Sequence, residues 1–439
     1  MEQELSKLLL YGDLDADSIL MQLGGIYSRW KRGARDGELV RDIHTQIRRL
    51  LDLSTRYGFD GNLWQCYLTW VLLTNENPFS LTCEGVGAAA DGSVNDLARQ
   101  DFAVFRRLFD FDFAPLERTL GLNCFSTVCN YQAIPKRGAL YNRNVSTQVR
   151  QTCAALSAAQ DTDAFFQIVT DFYRDHGVGT LGFNRAFRVS TGETADDLRL
   201  EPINNIERVS LRDIVGYEPQ KQELAANTEA FIAGRSANNV LLYGDSGTGK
   251  STCVKALLSD YFDSGLRMIE LYKHQFHSLS ALIARIKTRS YRFIIFIDDL
   301  SFEEHEIEYK FLKAVIEGGV ETRPDNILIY ATSNRRHLIR ETWNDRNDME
   351  HKGDIHRSDT VEEKLSLASR FGVAINYSAP NRAQYHEIVR SLAARQLAAP
   401  IDDETLIAGA NRWEIRHGGI SGRTAQQYIN HLSGCAPEE

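Results

Sequence analysis

The chain has 439 residues, 43% of them hydrophobic and 25% charged, with a formal net charge of −9. Such a composition excludes a fibrous or low-complexity chain and implies a globular protein of two or three domains. The acidic balance argues against whole-surface binding to nucleic acid, and no apolar run approaches the roughly 20 residues of a membrane span.

Met1-Glu2-Gln3-Glu4-Leu5 lacks the basic and apolar regions of a signal peptide, so a cytoplasmic location is expected. Seven cysteines are scattered without a C-x-x-C pair and read as reduced, mostly buried thiols. His274 and His277 could share a helix face, but two histidines do not complete a metal site.

Residues 1–190 read as a mostly helical N-terminal domain, with a partner-recognition or a structural role. Val40, Ile43, Ile47 and Leu50 recur at helical spacing. The run from Leu63 to Leu73 is apolar nearly all round, as in a central buried helix, and Asn77-Pro78 closes it. Phe102, Phe105, Leu108 and Phe109 form an aromatic stripe of the kind that faces a core. Two further helices are expected at 147–159 and 163–174. Residues 191–210 are polar and weakly periodic and read as a linker. Across 211–379 strand and helix signals alternate, with strands expected at 240–243, 267–271, 293–297, 327–331 and 373–377. That pattern predicts a three-layer parallel α/β sheet. Within 380–439, helices at 383–397, 403–417 and 422–432 follow without strands, as a small helical lid.

The chemistry concentrates in Gly244-Asp245-Ser246-Gly247-Thr248-Gly249-Lys250-Ser251, a G-x-x-x-x-G-K-S spacing between the apolar run Val240–Tyr243 and a helix. Glycines let successive backbone N–H groups turn inward around an anion, and the helix N-terminus adds partial positive charge. Gly244 through Thr252 are the expected nucleotide contacts: Gly244, Asp245, Ser246, Gly247, Thr248, Gly249, Lys250, Ser251 and Thr252. Lys250 would reach the β- and γ-phosphates, and Ser251 would bind Mg²⁺. A second apolar strand, Phe293 to Ile297, delivers Asp298 and Asp299 to the sheet edge. Asp298 would hold the Mg²⁺ shell and Asp299 would orient or deprotonate the attacking water. Ser301 to Glu304 fits a helix start.

With these motifs in place, residues 206–435 resemble the AAA+ P-loop ATPases. Ile327 to Arg335 looks like the strand that ends in the sensor-1 residue, here Asn334, which implies that Asn334 aligns the water. Leu367 to Gly372 resembles the arginine-finger segment, so Arg370 would act in trans on a neighbouring subunit. Gly419 to Arg423 resembles sensor 2, placing Arg423 near the same phosphate. Ile214-Val215-Gly216-Tyr217 looks like the adenine-side segment, with Val215 and Gly216 as contacts. The runs 326–338, 359–371 and 75–80 also resemble an uncharacterised bacterial ATP-binding family of AAA+ type. Many AAA+ motors carry Glu where this chain has Asp299, although helicase-loader and initiator relatives carry Asp-Asp. The water-activating group is therefore Asp299 or Glu303.

The resemblance implies ATP and Mg²⁺ as ligands, and hydrolysis of ATP to ADP and phosphate. It further implies a homo-oligomer in the ATP state, a ring of which a hexamer is one form, that remodels a macromolecular client. The alternative is a slow nucleotide-dependent switch or loader that docks a partner protein through the N-terminal domain. A small-molecule kinase is disfavoured, because no second substrate site is evident. Arg335, Arg336, His337 and Arg340 form a basic cluster, and the polar stretch 344–360 reads as a surface loop. The acidic total charge favours a protein client over nucleic acid.

Overall fold

The structure is a computed structural model that describes the chain apart from residues 89–91, 135–142, 192–197, 205, 207–208, 303–305, 307, 318–323, 335–367, 398 and 435–439. The chain divides into two compact units, Met1–Asn184 and Arg185–Glu439. Among the described residues no helix is long and apolar enough to cross a membrane.

The first unit is helical because its apolar residues recur at helical spacing. Helix Leu63–Thr74 buries Leu63, Trp64, Cys66, Tyr67, Leu68, Val71, Leu72 and Leu73, leaving it almost no face for solvent. Its neighbours are one-sided. Helix Gly37–Tyr57 buries Leu39, Ile43, Ile47 and Leu50, starts on an Asp36 cap and stops at a left-handed Gly58. The expected aromatic stripe lies on helix Val94–Phe109. There Phe102 sits 5.9 Å from each of Phe79, Phe165 and Phe166, ring centre to ring centre. Asn77 does more than end the central helix. Its side chain accepts from the backbone N–H groups of Phe79 and Ser80 and so starts helix Pro78–Cys83.

The buried Tyr11 and Tyr173 phenols and the buried Asp101 carboxylate find their partners within this unit. The Tyr173 hydroxyl donates to the Leu72 carbonyl at 2.8 Å, which leaves Tyr11 as donor in the 2.6 Å bond between the two phenols. The fully buried Asp101 carboxylate accepts from the backbone N–H groups of Leu9, Leu10 and Tyr11 at 2.8–3.2 Å. Asp101 thereby fixes the N-terminal segment to the helical core.

The second unit is built on a seven-stranded sheet of order β2-β1-β4-β5-β6-β3-β7. The strands are β1 Ala186–Thr191, β2 Leu198–Pro202, β3 Val240–Gly244, β4 Leu266–Glu270, β5 Arg292–Ile297, β6 Ile327–Ser333 and β7 Val373–Tyr377. Val240, Leu242, Ile294, Phe296, Leu328 and Tyr330 pack with helices Glu218–Ile232 and Lys250–Tyr261 on one face. The alternate positions Leu241, Phe293, Ile295, Ile297 and Ile329 are buried as well, so both faces are covered. Three further helices, Arg382–Gln396, Asp403–Arg416 and Gly422–Gly434, close around Tyr385, Val389, Leu406, Ala410, Ala425 and Ile429 to form the lid.

Two expectations need correction. The stretch read as a linker, 191–210, contains β2, and β1 begins before it, at residue 186. The sheet therefore has two more strands than expected, and β1 pairs antiparallel with β2 although it runs parallel to β4. Phe187 and Val189 point inward from β1 while Arg188 is exposed. Strands this short and half polar carry little period-2 signal.

Replacing Asp101 with alanine would strand up to three backbone donors in the core. We expect the full-length Asp101→Ala variant to lose about 3 kcal/mol or more of stability, read from the urea midpoint of the N-terminal unit's transition. A change below about 0.5 kcal/mol would mean that water replaces the carboxylate.

Candidate functional site

The phosphate loop leaves β3 where no side chain would fit. Gly244 has φ +127°, and a Cβ there would lie 2.2 Å from the Tyr377 carbonyl oxygen of the adjacent strand β7. The loop is then pinned from outside. The Asp245 N–H donates to Tyr377 O at 2.9 Å, and the Asp245 carboxylate accepts from Ala379 N–H at 2.7 Å. Gly249, at φ +89°, turns the chain into helix Lys250–Tyr261, so the helix begins directly at the loop.

Lys250 is buried, and its ammonium donates to the carbonyls of Gly244 (3.0 Å) and Asp245 (2.6 Å) and to Asn334 Oδ1 (3.1 Å). Burial pushes its pKa below the usual lysine value, and the nearby Arg423 charge adds to that. Asp245, Asp299 and Asp298 oppose the shift.

The two carboxylates leave the end of β5. Asp298 Oδ1 accepts from Ser251 Oγ at 2.5 Å and from Thr332 Oγ1 at 2.6 Å. Asp299 takes a left-handed backbone conformation, φ +53°, which a short polar side chain tolerates better than a long one. Its N–H donates to Thr332 Oγ1 at 2.9 Å, and its Oδ1 accepts from Asn334 Nδ2 at 2.9 Å. An ammonium can only donate and a carboxylate only accept, so the Asn334 amide, placed between Lys250 and Asp299, has one possible orientation.

These groups face a cavity of about 550 Å³. Gly247, Thr248, Gly249, Lys250, Ser251 and Thr252 form its floor, with Asp298, Asp299, Thr332 and Asn334 beside them. Val209, Asp213, Ile214, Val215 and Tyr217 form a second wall, and lid residues, Arg423 among them, form the third. The lid touches the loop directly: the Arg423 N–H donates to Gly247 O at 3.2 Å. It also reaches the second wall, where the Arg395 guanidinium donates to Asp213 O at 2.6 Å and pairs with the Asp213 carboxylate at 3.2 Å. The second wall is held from behind by Lys221, whose ammonium donates to Ile214 O at 2.6 Å, and by the Tyr217 hydroxyl, which donates to Ser378 O at 2.8 Å.

The structure thus brings Lys250, Ser251, Thr252, Asp298, Asp299, Asn334, Arg423 and Val215 to one cavity. Gly244, Asp245, Ser246 and Gly216 are not among its lining residues; the first two shape the loop, and Gly216, at φ +77°, turns the second wall. Arg370 lies half-buried on the turn before β7 and does not line the cavity of its own chain. Glu303 and Glu304 of the expected helix start, together with Arg335, Arg336, His337, Arg340 and the 344–360 stretch, lie outside the described residues. His274 and His277 sit in a short helical segment, Lys273–Ser278, and no cluster of three metal-binding side chains occurs among the described residues.

That last observation does not weigh against Mg²⁺. The ion is commonly held by one or two carboxylates together with substrate phosphates and water rather than by an all-protein cage. Asp298 and Ser251 supply hard oxygen donors in direct contact at the mouth of the phosphate loop, so the residues present fit it. Thr332 and Arg395 are among the site residues that no expectation from sequence includes. Thr332 stands two positions before Asn334 on β6, so strand alternation puts both on the same side, a signal that was available. Arg395 gave none, being one cation on a polar helix.

The phosphate loop on an inner strand, the carboxylates on β5 and the three-helix lid define an α/β P-loop NTPase of AAA+ type. Residues 183–436, more than half of the chain, match the family described as "Protein of unknown function (DUF815)", and the chain belongs to that family. A stretch of 52 residues is 40% identical to the large subunit of replication factor C from Methanococcus vannielii, covering 12% of this chain and 11% of that protein. Among solved structures, the RuvB Holliday junction branch migration motor of Thermotoga maritima is 16% identical. It aligns at a TM-score of 0.36 over 52% of this chain and 65% of its own. The FIGL-1 AAA domain in complex with ADP is 19% identical at a TM-score of 0.36, over 52% of this chain and 74% of its own. This chain spans about a tenth of the curated relative and less than two thirds of the RuvB chain, so neither protein's activity transfers to it.

The close approach of Gly244 to Tyr377 gives a direct test of the loop's construction. Gly244→Ala should lose about 2 kcal/mol or more, because an unfavourable φ and a backbone collision arise together. Chemical denaturation reads this, and an unchanged midpoint would show that β7 can move aside.

Proposed function

We propose that this protein binds ATP with Mg²⁺ and hydrolyses it to ADP and phosphate. The observation that carries the reading is one continuous set of hydrogen bonds, Lys250–Asn334–Asp299–Thr332–Asp298–Ser251, which ties the phosphate loop to both carboxylates. In this reading the loop's N–H groups and Lys250 hold the β- and γ-phosphates. Water attacks the γ-phosphorus in line with the bond to the bridging oxygen, which breaks to release ADP. Asp299, oriented by Asn334, takes the water's proton, and Arg423 stabilises charge on the phosphate from the lid side. Bound at Ser251 and Asp298, Mg²⁺ would neutralise charge on the β- and γ-oxygens. The left-handed φ of Asp299 supports Asp at this position over the longer Glu of many AAA+ motors.

The placement of Arg370 outside its own cavity supports a role in trans, in a homo-oligomeric ring that assembles with ATP and remodels a protein client. The expected setting is the cytoplasm, where the free thiols of Cys66, Cys83, Cys124, Cys129, Cys153 and Cys253 stay reduced. A second reading has a specific observation in its favour. Asp299 is short and already engaged by Asn334, which suits a slow switch or loader docked to a partner through the first unit.

Lys250→Ala should abolish nucleotide binding or phosphate release, measured by fluorescence titration and a phosphate-release assay. Unchanged turnover would sink the assignment. Arg370→Ala should keep nucleotide affinity and lose on the order of 10³-fold in turnover. Light scattering with a slowly hydrolysed ATP analogue separates the two readings: a defined oligomer supports the ring, and a monomer supports the switch.

A further inference from the structure

We infer that Thr332 is a positioning residue that sets the two carboxylates of the site relative to each other; this rests on the ATPase reading above. The chain turns sharply at the end of β5, with Asp299 at φ +53°. Three hydrogen bonds to one residue of β6 hold that turn. The Thr332 hydroxyl donates to Asp298 Oδ1 at 2.6 Å and accepts from Asp299 N–H at 2.9 Å, and the Thr332 carbonyl accepts from Leu300 N–H at 2.7 Å. Thr332 is 2% exposed, so bulk water does not compete for these bonds.

The division of labour on Asp298 is specific. Ser251 and Thr332 both donate to Oδ1, and among the described residues no protein donor engages Oδ2. The carboxylate is therefore fixed in rotation by two donors on one oxygen, while the other oxygen stays available to the solvent shell of a cation. The same hydroxyl that fixes Asp298 also fixes the backbone of Asp299, so a single group sets the distance between the cation-holding carboxylate and the proton-accepting one. The Thr332 hydroxyl is engaged on one side by Asp298 and on the other by Asp299, and acts through these two neighbours. Asn334 alone does not replace it, because its amide reaches the Asp299 side chain and leaves Asp298 held by Ser251 only among the described residues.

The test compares Thr332→Val, which keeps the shape and removes the hydroxyl, with Thr332→Ser, which keeps the hydroxyl. Support for an ion by outer groups is commonly a 10–100-fold effect. Thr332→Val should therefore lower kcat by about 10–100-fold with little change in KM. Independently of turnover, the Mg²⁺ concentration that half-maximally enhances binding of a fluorescent ATP analogue should rise by a similar factor. Affinity for the analogue without Mg²⁺ should not change, and Thr332→Ser should restore both properties to within a few-fold of wild type. Wild-type kcat and wild-type Mg²⁺ dependence in Thr332→Val would overturn the assignment while leaving the ATPase reading intact. A Thr332→Ser variant as impaired as Thr332→Val would overturn it in favour of a packing role. A wild-type protein that fails to bind the analogue would overturn the ATPase reading and this inference together.

Discussion

Strand β6 stands between the strand that carries the phosphate loop and the strand that delivers the carboxylates. Everything at the site depends on what β6 places in that gap. Lys250 and Asp299 belong to elements that do not pair with each other, so no backbone ladder sets their separation. The gap is bridged by side chains from one strand end, Thr332 and Asn334, and the register between β5 and β6 fixes where they fall. Central strands buried on both faces hold that register firmly, because a slip of one residue would turn Thr332 and Asn334 to the opposite face.

The electrostatics follow from the same geometry. Lys250 is buried among carbonyl oxygens, with Arg423 nearby and three carboxylates around it. Its charge is disfavoured by burial and held by partners that are themselves fixed. A polyanion entering the cavity would meet oriented N–H groups, a cation already stripped of water and a second cation on the lid. None of these groups would need to reorganise much, which is the condition under which such interactions act strongly. The Arg395–Asp213 pair joins the lid to the second wall, so closure of the cavity and order in that wall are linked through one ion pair.

Much of this was legible in the sequence because its causes are local. The G-x-x-x-x-G-K-S spacing, the apolar runs before it and before Asp298, and the three helices of the lid each carry their signal within a few residues. Asn334 was legible only through resemblance to a family, since an Asn at a strand end has many roles. Alternation from Asn334 points to Thr332, but a hydroxyl inside an apolar strand reads as filler until its partners are in view. β1 and β2 were hidden for a different reason. They are short and half polar; β2 pairs with β1, and β1 is joined to the rest of the sheet by β4, a partner far away in sequence. The first unit shows the converse: several of its helices, Gly37–Tyr57 and Leu63–Thr74 among them, are plain from periodicity, but the role of Asp101 is not, since the donors it serves lie some 90 residues upstream.

We propose this cavity as a nucleotide site whose cations and carboxylates wait for a Mg²⁺-bound polyphosphate. Titration calorimetry of the full-length wild-type protein with ADP, with and without Mg²⁺, tests it most directly. A nucleotide site requires saturable binding at one site per chain that tightens when Mg²⁺ is present. An absence of saturable heat at millimolar nucleotide, in a protein shown to be folded, would contradict it.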